Sequence, residues 1–497
     1  MSRSNLIKTI KFLFIVIMTL VVWNLPADSF GIEGLTALQQ RMIAIFLFGA
    51  VTWILEPVPA WVTSLLIMVL MLFTISDSSI GWLISDSDAF KVVPKVTKEF
   101  TSIDAAQFAA DNKGYCLIAY TKILACFADP TVMLFLGGFV LALVASKSGV
   151  DINMARVMLK PFGTNCNVVL LGFMLVTAIF SMFISNTATA AMMLTFMGPV
   201  LKQMPEQEKG RAALALAIPI GANIGGIGTP IGTPPNGIAL KEISGIGFLD
   251  WMMAMVPLML IILFIAWIIL RMLFKFSTKK IELKIEGGAE KGWKTNLIYI
   301  IMFATILLWC TEKLTGINSY VVAVFPIAAF AVTGIIKAKD LGQLDWAVLW
   351  MVAGGFALGV GMKETGLDKA LVSAIPFDQW SAIIVLVGAG LVTWLLSTFI
   401  SNSAAAALMV PLLATMAKGM GDQLSVIGGG TTLLVGIALS ASFAMALPIS
   451  TPPNAIAYST GLVKTGQMAK VGIIVGCIAL ALGFAWIIFL AKNGLLG

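Results

Sequence analysis

Ile184-Ser185-Asn186-Thr187-Ala188 recurs 216 residues later as Ile400-Ser401-Asn402-Ser403-Ala404. Gly232-Thr233-Pro234-Pro235-Asn236 recurs after 218 residues as Ser450-Thr451-Pro452-Pro453-Asn454. Upstream of both pairs, a third repeat lies at an offset of 217: Gly137-Gly138-Phe139 and Gly354-Gly355-Phe356. Three features in one order at nearly one offset indicate an internal duplication. Small polar residues beside helix breakers, doubled in an apolar chain, are typical of a two-fold transport site.

The composition predicts an all-α polytopic membrane protein. Of the 497 residues, 59% are hydrophobic and 11% are charged, whereas soluble domains carry roughly 25% charged residues. Many segments reach the ~20 apolar residues that cross the hydrocarbon core as a helix, and helices satisfy their own backbone hydrogen bonds there. The net charge of +7 is interpreted as basic residues in cytoplasmic loops, not as a nucleic-acid surface.

Cysteine and histidine usage limits the chemistry of the chain. The five cysteines form no CxxC pair, and a Cys116–Cys126 disulfide is the alternative to five unpaired thiols. The chain has no histidine, which removes the usual proton relay and metal ligand. We expect no cofactor other than coupling ions.

Eleven membrane spans are predicted from the apolar segments. They are 7–25, 41–56, 58–75, 131–148, 212–240, 250–274, 296–314, 318–336, 345–363, 428–460 and 470–492. Two further apolar stretches, 162–200 and 368–417, hold the Ser-Asn-Thr and Ser-Asn-Ser motifs at their middles. The length of each stretch fits either two full spans or one re-entrant hairpin.

Charge asymmetry favours two hairpins. Lys8 and Lys11 place the N-terminus in the cytoplasm, and hairpins then put the lysine-rich segment 275–294 on the same side. The segment 76–130 and the C-terminus fall outside. Five crossings then separate the starts of the duplicated spans 131–148 and 345–363, so the repeat is inverted. The first hairpin would enter from the cytoplasm and the second from outside.

This topology predicts how the chain is organised. The segments are an N-terminal scaffold with a long extracellular loop (1–130), a first repeat with the inner hairpin (131–274), a basic cytoplasmic linker (275–295), two scaffold helices (296–344) and a second repeat with the outer hairpin (345–497).

The repeated motifs offer partial charges of both signs. A Ser-Asn-Thr tip lies between two half-helices, and the unpaired N–H groups at a helix start act as about +0.5 charge, which suits a carboxylate. Carbonyls at the end of the preceding half-helix suit a sodium ion, and Ser181 and Ser397 lie one turn before the tips. The proline pairs predict unwound joints near Thr229–Pro235 and Pro448–Pro453. The glycines Gly221 and Gly225 are interpreted as helix packing.

The motifs resemble those of the divalent anion:sodium symporter family, which carries dicarboxylates, tricarboxylates and sulfate. The resemblance extends from Thr131 to the C-terminus. It implies a homodimer in the plasma membrane and a small di- or tricarboxylate substrate such as succinate, fumarate, malate or 2-oxoglutarate. It also implies an elevator mechanism, in which the hairpins and spans 5, 6, 10 and 11 move against a scaffold of spans 1–4 and 7–9.

The family's binding residues carry over to matching positions. The substrate contacts would be Asn186, Thr187, Asn402, Ser403, Thr233, Pro234, Thr451 and Pro452. The sodium ligands would be Ser181, Ser185, Asn186 and Gly232 at one site, with Ser397, Ser401, Asn402 and Ser450 at the other. Ser403 stands where many dicarboxylate carriers have threonine, which keeps the hydroxyl but leaves the size and class of the substrate open.

Other functions stay open on the sequence alone. A sodium-independent exchanger, or a carrier of sulfate or another divalent anion, would use the same positions. An ion channel would need a continuous polar stripe, and an intramembrane enzyme would need a catalytic dyad or metal site. The motifs favour a carrier, and we expect no enzymatic activity.

Overall fold

The computed structural model describes residues 3–80, 117–283, 285, 287–374 and 380–496. These residues form α-helices, short 3-10 helices and two isolated β-bridges. The all-helical membrane fold expected from composition is therefore confirmed. Cys116, one half of the alternative disulfide, lies outside the described residues.

The helices of the first half reach from the N-terminus to the end of the first repeat. They are α1 (Arg3–Asn24), α2 (Ala37–Leu55), α3 (Ala60–Thr74), α4 (Tyr120–Ala125), α5 (Pro130–Ser148), α6 (Val150–Leu159), α7 (Cys166–Ser181), α8 (Asn186–Leu201), α9 (Lys209–Gly226), α10 (Pro234–Glu242) and α11 (Phe248–Leu273).

The helices of the second half follow the basic linker. They are α12 (Trp293–Cys310), α13 (Glu312–Thr315), α14 (Ser319–Val322), α15 (Val324–Val332), α16 (Ala338–Leu341), α17 (Trp346–Glu364), α18 (Leu367–Ala374), α19 (Ala382–Phe399), α20 (Asn402–Met420), α21 (Gly430–Ser442), α22 (Pro452–Ser459) and α23 (Thr465–Lys492).

The chain divides into two compact units. The first comprises Met1–Asp129, Trp346–Val385 and Ala407–Leu433, and the second comprises Pro130–Asp345, Leu386–Ala406 and Leu434–Gly497. Within the first unit α3 packs against α17, where the Ser64 hydroxyl donates to the Met351 carbonyl at 3.2 Å. The second unit contains every residue of the repeated polar motifs.

Both motif stretches fold as pairs of helices that meet at the motif. We call α7 and α8, with residues 182–185 between them, hairpin 1, and α19 and α20, with 400–401 between them, hairpin 2. The second stretch was predicted to begin at residue 368, but a separate helix, α18, occupies that start. Gly149 and Gly366 adopt left-handed φ values of +73° and +69°, end α5 and α17, and turn the chain into the short helices α6 and α18, which the sequence analysis did not predict.

Both Thr-Pro spans are interrupted, as predicted. We call α9 and α10, with joint 227–233, broken helix 1, and α21 and α22, with joint 443–451, broken helix 2. The joints begin earlier than predicted, and the proline pairs lie in the first turns of α10 and α22. Proline lacks the N–H that a first-turn residue cannot use, so it begins the second half-helix and does not extend the joint.

Nine helices among the described residues are long and apolar enough to cross a membrane. Seven match predicted full spans and two are the arms of hairpin 2. The predicted spans 58–75 and 318–336 correspond to the shorter apolar helices Ala60–Thr74 and Ser319–Val332. The number of crossings, eleven with two hairpins, stays a prediction.

The linker after α11 is hydrogen-bonded to the segment that follows hairpin 1. The Glu208 carboxylate accepts hydrogen bonds from the Ser277 and Thr278 backbone N–H groups at 2.8 and 2.9 Å. Gln203 exchanges two hydrogen bonds with the backbone of Glu282. These hydrogen bonds connect the base of hairpin 1 to the linker, whereas the tip of hairpin 1 is hydrogen-bonded to the joint of broken helix 1.

Close packing of α7 on α9 explains the predicted role of the glycines. A methyl group added at Gly221 would lie 2.8 Å from the Met174 carbonyl oxygen, and one at Gly225 would overlap the backbone of Ala178. Because backbone atoms cannot move aside cheaply, any larger residue at these positions should lower the stability of the fold. This approach brings α7 close enough for Ser181 to reach α9.

We predict that Gly225→Ala lowers the free energy of unfolding by about 1–3 kcal/mol, as overpacking usually does. Gly388→Ala is the matched control, because Gly388 is also inside a helix but has open space around it. The control should be neutral or slightly stabilising. Melting temperatures in one detergent measure both, and equal values would contradict the packing argument.

Candidate functional site

A serine, an asparagine and a backbone carbonyl form the same cluster in each half of the chain. The Ser181 hydroxyl contacts Asn186 Oδ1 and lies 2.8 Å from the Ala222 carbonyl oxygen. In the second half, the Ser397 hydroxyl lies 2.8 Å from Asn402 Oδ1 and 2.7 Å from the Ala441 carbonyl oxygen. Both serines, which lie one turn before the motif serines, are therefore in contact with the motif asparagines.

Each cluster contains more acceptors than hydrogens. A serine hydroxyl has one proton, whereas both of its neighbours here are oxygen acceptors. Only one contact can therefore be a hydrogen bond at any moment. Three oxygens sharing one hydrogen are chemically suited to a hard cation, which prefers oxygen ligands.

The motif serines begin the second helix of each hairpin. Ser185 Oγ accepts the Ala188 N–H at 3.2 Å, and Ser401 Oγ accepts the Ala404 N–H at 3.2 Å. Serine is a preferred helix N-cap for this reason. The predicted tips are therefore helix N-termini, with Asn186 in the first turn of α8 and Asn402 in the first turn of α20.

The asparagines of the two Thr-Pro-Pro-Asn motifs hold the joints together. Asn236 Nδ2 donates to the carbonyls of Gly226 and Thr229 at 3.0 and 2.8 Å. Asn454 Nδ2 donates to the carbonyls of Met445 and Leu447 at 2.8 and 2.9 Å. The side-chain amide thus replaces the helix hydrogen bonds that the joint has lost.

A hydroxyl from each joint bonds to the tip of the adjacent hairpin. Thr229 Oγ1 donates to the Met182 carbonyl and accepts the Gly232 N–H at 3.0 Å. Ser450 Oγ donates to the Thr398 carbonyl at 2.7 Å and accepts the Leu447 N–H at 3.1 Å. The Thr229 hydroxyl precedes the N–H that it accepts by three residues, whereas the Ser450 hydroxyl follows its N–H donor by three residues.

The first cluster is closed by two glycines. A methyl group at Gly226 would lie 3.0 Å from the Asn186 side chain, and one at Gly232 would lie 3.0 Å from the Ser181 carbonyl oxygen and overlap Gly226. The predicted cation positions Ser181, Asn186 and Gly232 are therefore brought together. Ser185 is used as the N-cap of the same tip.

The two halves meet at broken helix 2. Helix α8, which begins with Asn186 and Thr187, packs against α22, which begins with Pro452. Asn223 of α9 donates to Thr451 Oγ1 and to Asn454 Oδ1, both at 3.1 Å. The remaining predicted substrate positions differ in solvent exposure. Ser403, Thr233 and Thr451 are buried, Thr187 and Pro234 are half-buried, and Pro452 is exposed.

Sequence reasoning missed two buried polar residues beside the site, Asn223 and Thr189. Asn223 has no counterpart in the second repeat, where Ser442 follows the equivalent carbonyl of Ala441. Thr189, one turn after Asn186, has a buried hydroxyl without a hydrogen-bond partner among the described residues. For Asn223, the only signal available was a polar residue within the apolar, buried part of α9.

The electrostatics of the site come from helix ends. No Lys, Arg, Asp or Glu occurs in residues 181–187, 226–236, 397–403 or 442–454. Helices α8, α10, α20 and α22 begin there and α7, α9, α19 and α21 end there. N-terminal ends attract anions and C-terminal ends attract cations. An apolar helical bundle with paired hairpins and broken helices around buried polar clusters is the arrangement of a secondary membrane transporter.

Comparison with known proteins agrees with this class. The family model described as CitMHS, citrate transporter, matches residues 50–428. An uncharacterized transporter of Haemophilus influenzae is 32% identical over 385 residues, covering 73% of this chain and 81% of its own. The chain belongs to this family of membrane transporters, and the predicted resemblance to divalent anion carriers is confirmed.

Two relatives carry more specific names. The sodium-dependent dicarboxylate transporter SdcS of Staphylococcus saprophyticus is 29% identical over 392 residues, covering 71% of this chain and 74% of its own. The sodium-dependent high-affinity dicarboxylate transporter 3 of Caenorhabditis elegans is 28% identical over 411 residues, covering 70% and 72%.

Solved transporters share the fold at low sequence identity. The Alcanivorax borkumensis YdaH transporter has a TM-score of 0.52 at 12% identity, covering 76% of this chain and 89% of its own. Neisseria gonorrhoeae MtrF has a TM-score of 0.51 at 11% identity, covering 87% and 95%.

We predict that Asn186→Ala and Asn402→Ala each weaken substrate binding by roughly ten- to a hundredfold, because a hydrogen bond to a charged group is worth about 1.5–3 kcal/mol. Thr195→Ala is the control, since its exposed hydroxyl bonds only to its own helix. Uptake and binding of labelled succinate measure the effect. Near-normal affinity in either asparagine variant, at unchanged expression, would contradict the assignment.

Proposed function

We propose that this protein carries small di- or tricarboxylates of the succinate, fumarate, malate and 2-oxoglutarate class across the plasma membrane, coupled to sodium. The observation that carries the proposal is the duplicated Ser–Asn–carbonyl cluster beside a helix N-terminus, in a site without charged side chains. The names of the two sodium-dependent relatives support the same substrate class.

The substrate's carboxylates bind at the helix starts. Asn186 and Thr187 serve one hairpin, and Asn402 and Ser403 serve the other. Thr233-Pro234 and Thr451-Pro452 close the site from the joints. Each Thr-Pro pair begins a half-helix, so the positive end of that half-helix dipole lies at the site.

Sodium ions supply the charge that the protein does not. Removing a carboxylate from water costs several kcal/mol even after relaxation, and each helix N-terminus offsets only ~0.3–2 kcal/mol. One ion binds the cluster of Ser181, Asn186 and Gly232 with Ser185 nearby. The other binds the cluster of Ser397, Asn402, Ser401 and Ser450. Sodium and substrate therefore strengthen each other's binding by the same factor.

A sodium-independent exchanger is the second candidate function, and one feature of the clusters favours it. Rotating the Asn186 amide by half a turn would place its NH₂ group on Ser181, which could then donate to Ala222. The cluster would be neutral and complete without a cation. The carrier would then move only when loaded with anion. A site for sulfate or another divalent anion would use the same donors.

The transport cycle is an elevator movement of a homodimer. The hairpins and broken helices move together, because hydroxyls and amides bond each tip to its joint. The base of hairpin 1 moves together with the linker, because Glu208 and Gln203 are hydrogen-bonded to the linker backbone at Ser277 and Glu282. The N-terminus lies in the cytoplasm and the C-terminus outside.

We predict that purified protein in proteoliposomes exchanges external labelled succinate for internal unlabelled succinate. A channel would show flux without saturation, and an enzyme would form product.

Replacing sodium by choline should weaken succinate binding steeply, and Ser181→Ala and Ser397→Ala should each raise the sodium concentration needed for half-maximal binding. Exchange that is unchanged in choline contradicts symport and supports the exchanger.

The orientation can be tested by cysteine labelling. Lys280 and Thr315 are both exposed, and the topology puts position 280 inside and position 315 outside. In a cysteine-free background, we predict that a membrane-impermeant maleimide labels Thr315→Cys in intact cells but labels Lys280→Cys only after permeabilisation. The reverse pattern would overturn the orientation, and labelling of both from outside would overturn the inverted repeat.

A further inference from the structure

The inverted repeat is broken at one buried position beside the site. Ala222 and Ala441 are equivalent, because each accepts the hydroxyl of its hairpin serine. The residues that follow them are therefore equivalent too, but they are Asn223 and Ser442. Asn223 bonds across to broken helix 2, whereas the Ser442 hydroxyl donates to Ala438 of its own helix at 2.8 Å.

The orientation of the Asn223 amide is fixed by a chain of hydrogen bonds. Asn454 uses both N–H groups of its side chain on the carbonyls of Met445 and Leu447. Its Oδ1 must then be the atom that faces Asn223 at 3.1 Å. Because Oδ1 is only an acceptor, Asn223 must present its NH₂ group. The second N–H of that group reaches Thr451 Oγ1, also at 3.1 Å.

The same chain decides what the Thr451 hydroxyl can do. Its oxygen accepts from Asn223 Nδ2 and, at 3.3 Å, from the Asn454 backbone N–H. A hydroxyl has two acceptor positions and one hydrogen. Both acceptor positions are occupied, so the hydrogen of Thr451 is left to donate to a further acceptor.

We propose that Asn223 is a positioning residue: by occupying an acceptor position of the Thr451 hydroxyl, it directs the hydrogen of that hydroxyl to a substrate carboxylate. The inference rests on the proposed carboxylate transport. The first half lacks the device: Thr233 makes no capping hydrogen bond, and Asn236 Oδ1 has no partner among the described residues. The two ends of a dicarboxylate therefore meet unlike threonines, one with its hydrogen fixed and one free to rotate.

A double-mutant cycle tests this. Asn223→Ser, Thr451→Val and the double variant are compared by succinate binding in detergent at saturating sodium. Each single variant should weaken binding about tenfold, as expected for a hydrogen bond to a charged group. The double variant should be no weaker than Thr451→Val, because the proposal has Asn223 influence the substrate only through that hydroxyl. Additive losses, or unchanged affinity in Asn223→Ser, overturn the proposal.

Two further variants complete the experiment. Ser442→Ala is the matched control and should leave affinity unchanged. If Asn223→Ser does not fold, Asn223→Asp keeps the shape but offers only acceptors, so Thr451 turns its hydrogen to the aspartate and binding falls. Unchanged binding in that variant contradicts the proposal. A wild-type protein that binds no dicarboxylate contradicts the proposed function as well, which separates the two failures.

Discussion

Backbone groups that leave a helix inside an apolar bundle must find other partners, and this constraint shapes the site. Each joint frees carbonyls at the end of one half-helix, while the proline pair at the start of the next half-helix has no N–H groups to satisfy. Asn236 and Asn454 take up the carbonyls from within the same motif. The N–H groups in the first turns of α8 and α20, at the hairpin tips, are the ones that we propose for a ligand. The interruption of each broken helix is stable because an asparagine bonds the freed carbonyls and the proline pair removes N–H groups that would need partners.

The hairpin tips obey the same constraint with different residues. Ser185 and Ser401 cap the second helices, and Thr229 and Ser450 bond the carbonyls that follow Ser181 and Ser397. Tip and joint are thus hydrogen-bonded to each other in both halves. The shared bonds explain why a carrier of this kind would move these elements as a unit, since separating them would expose buried polar groups.

Much of the fold and site could be predicted because the signals are local. Helix-breaking and small polar residues stand out against an apolar background, so the tips and the interruptions could be predicted from the sequence pattern. The grouping of Ser181 with Asn186 was predicted from the family resemblance. The helices α6 and α18 were missed because they are too short and too polar to resemble spans. The bond from Asn223 to Thr451 was missed for another reason: it joins residues 228 apart, and no sequence pattern reports that approach.

The duplication explains both the likeness and the difference between the halves. Gene duplication supplies two copies of each cluster, but a dicarboxylate with a four- or five-carbon backbone must be held in one position between them. Residues that form the clusters, the caps and the joints are repeated, since each half needs them to fold. Asn223 and Ser442 differ, and neither makes a hydrogen bond within the cluster, cap or joint of its own half. At this position the two halves can therefore differ: Asn223 fixes the direction of the Thr451 hydroxyl in one half, while the Thr233 hydroxyl stays free to rotate in the other.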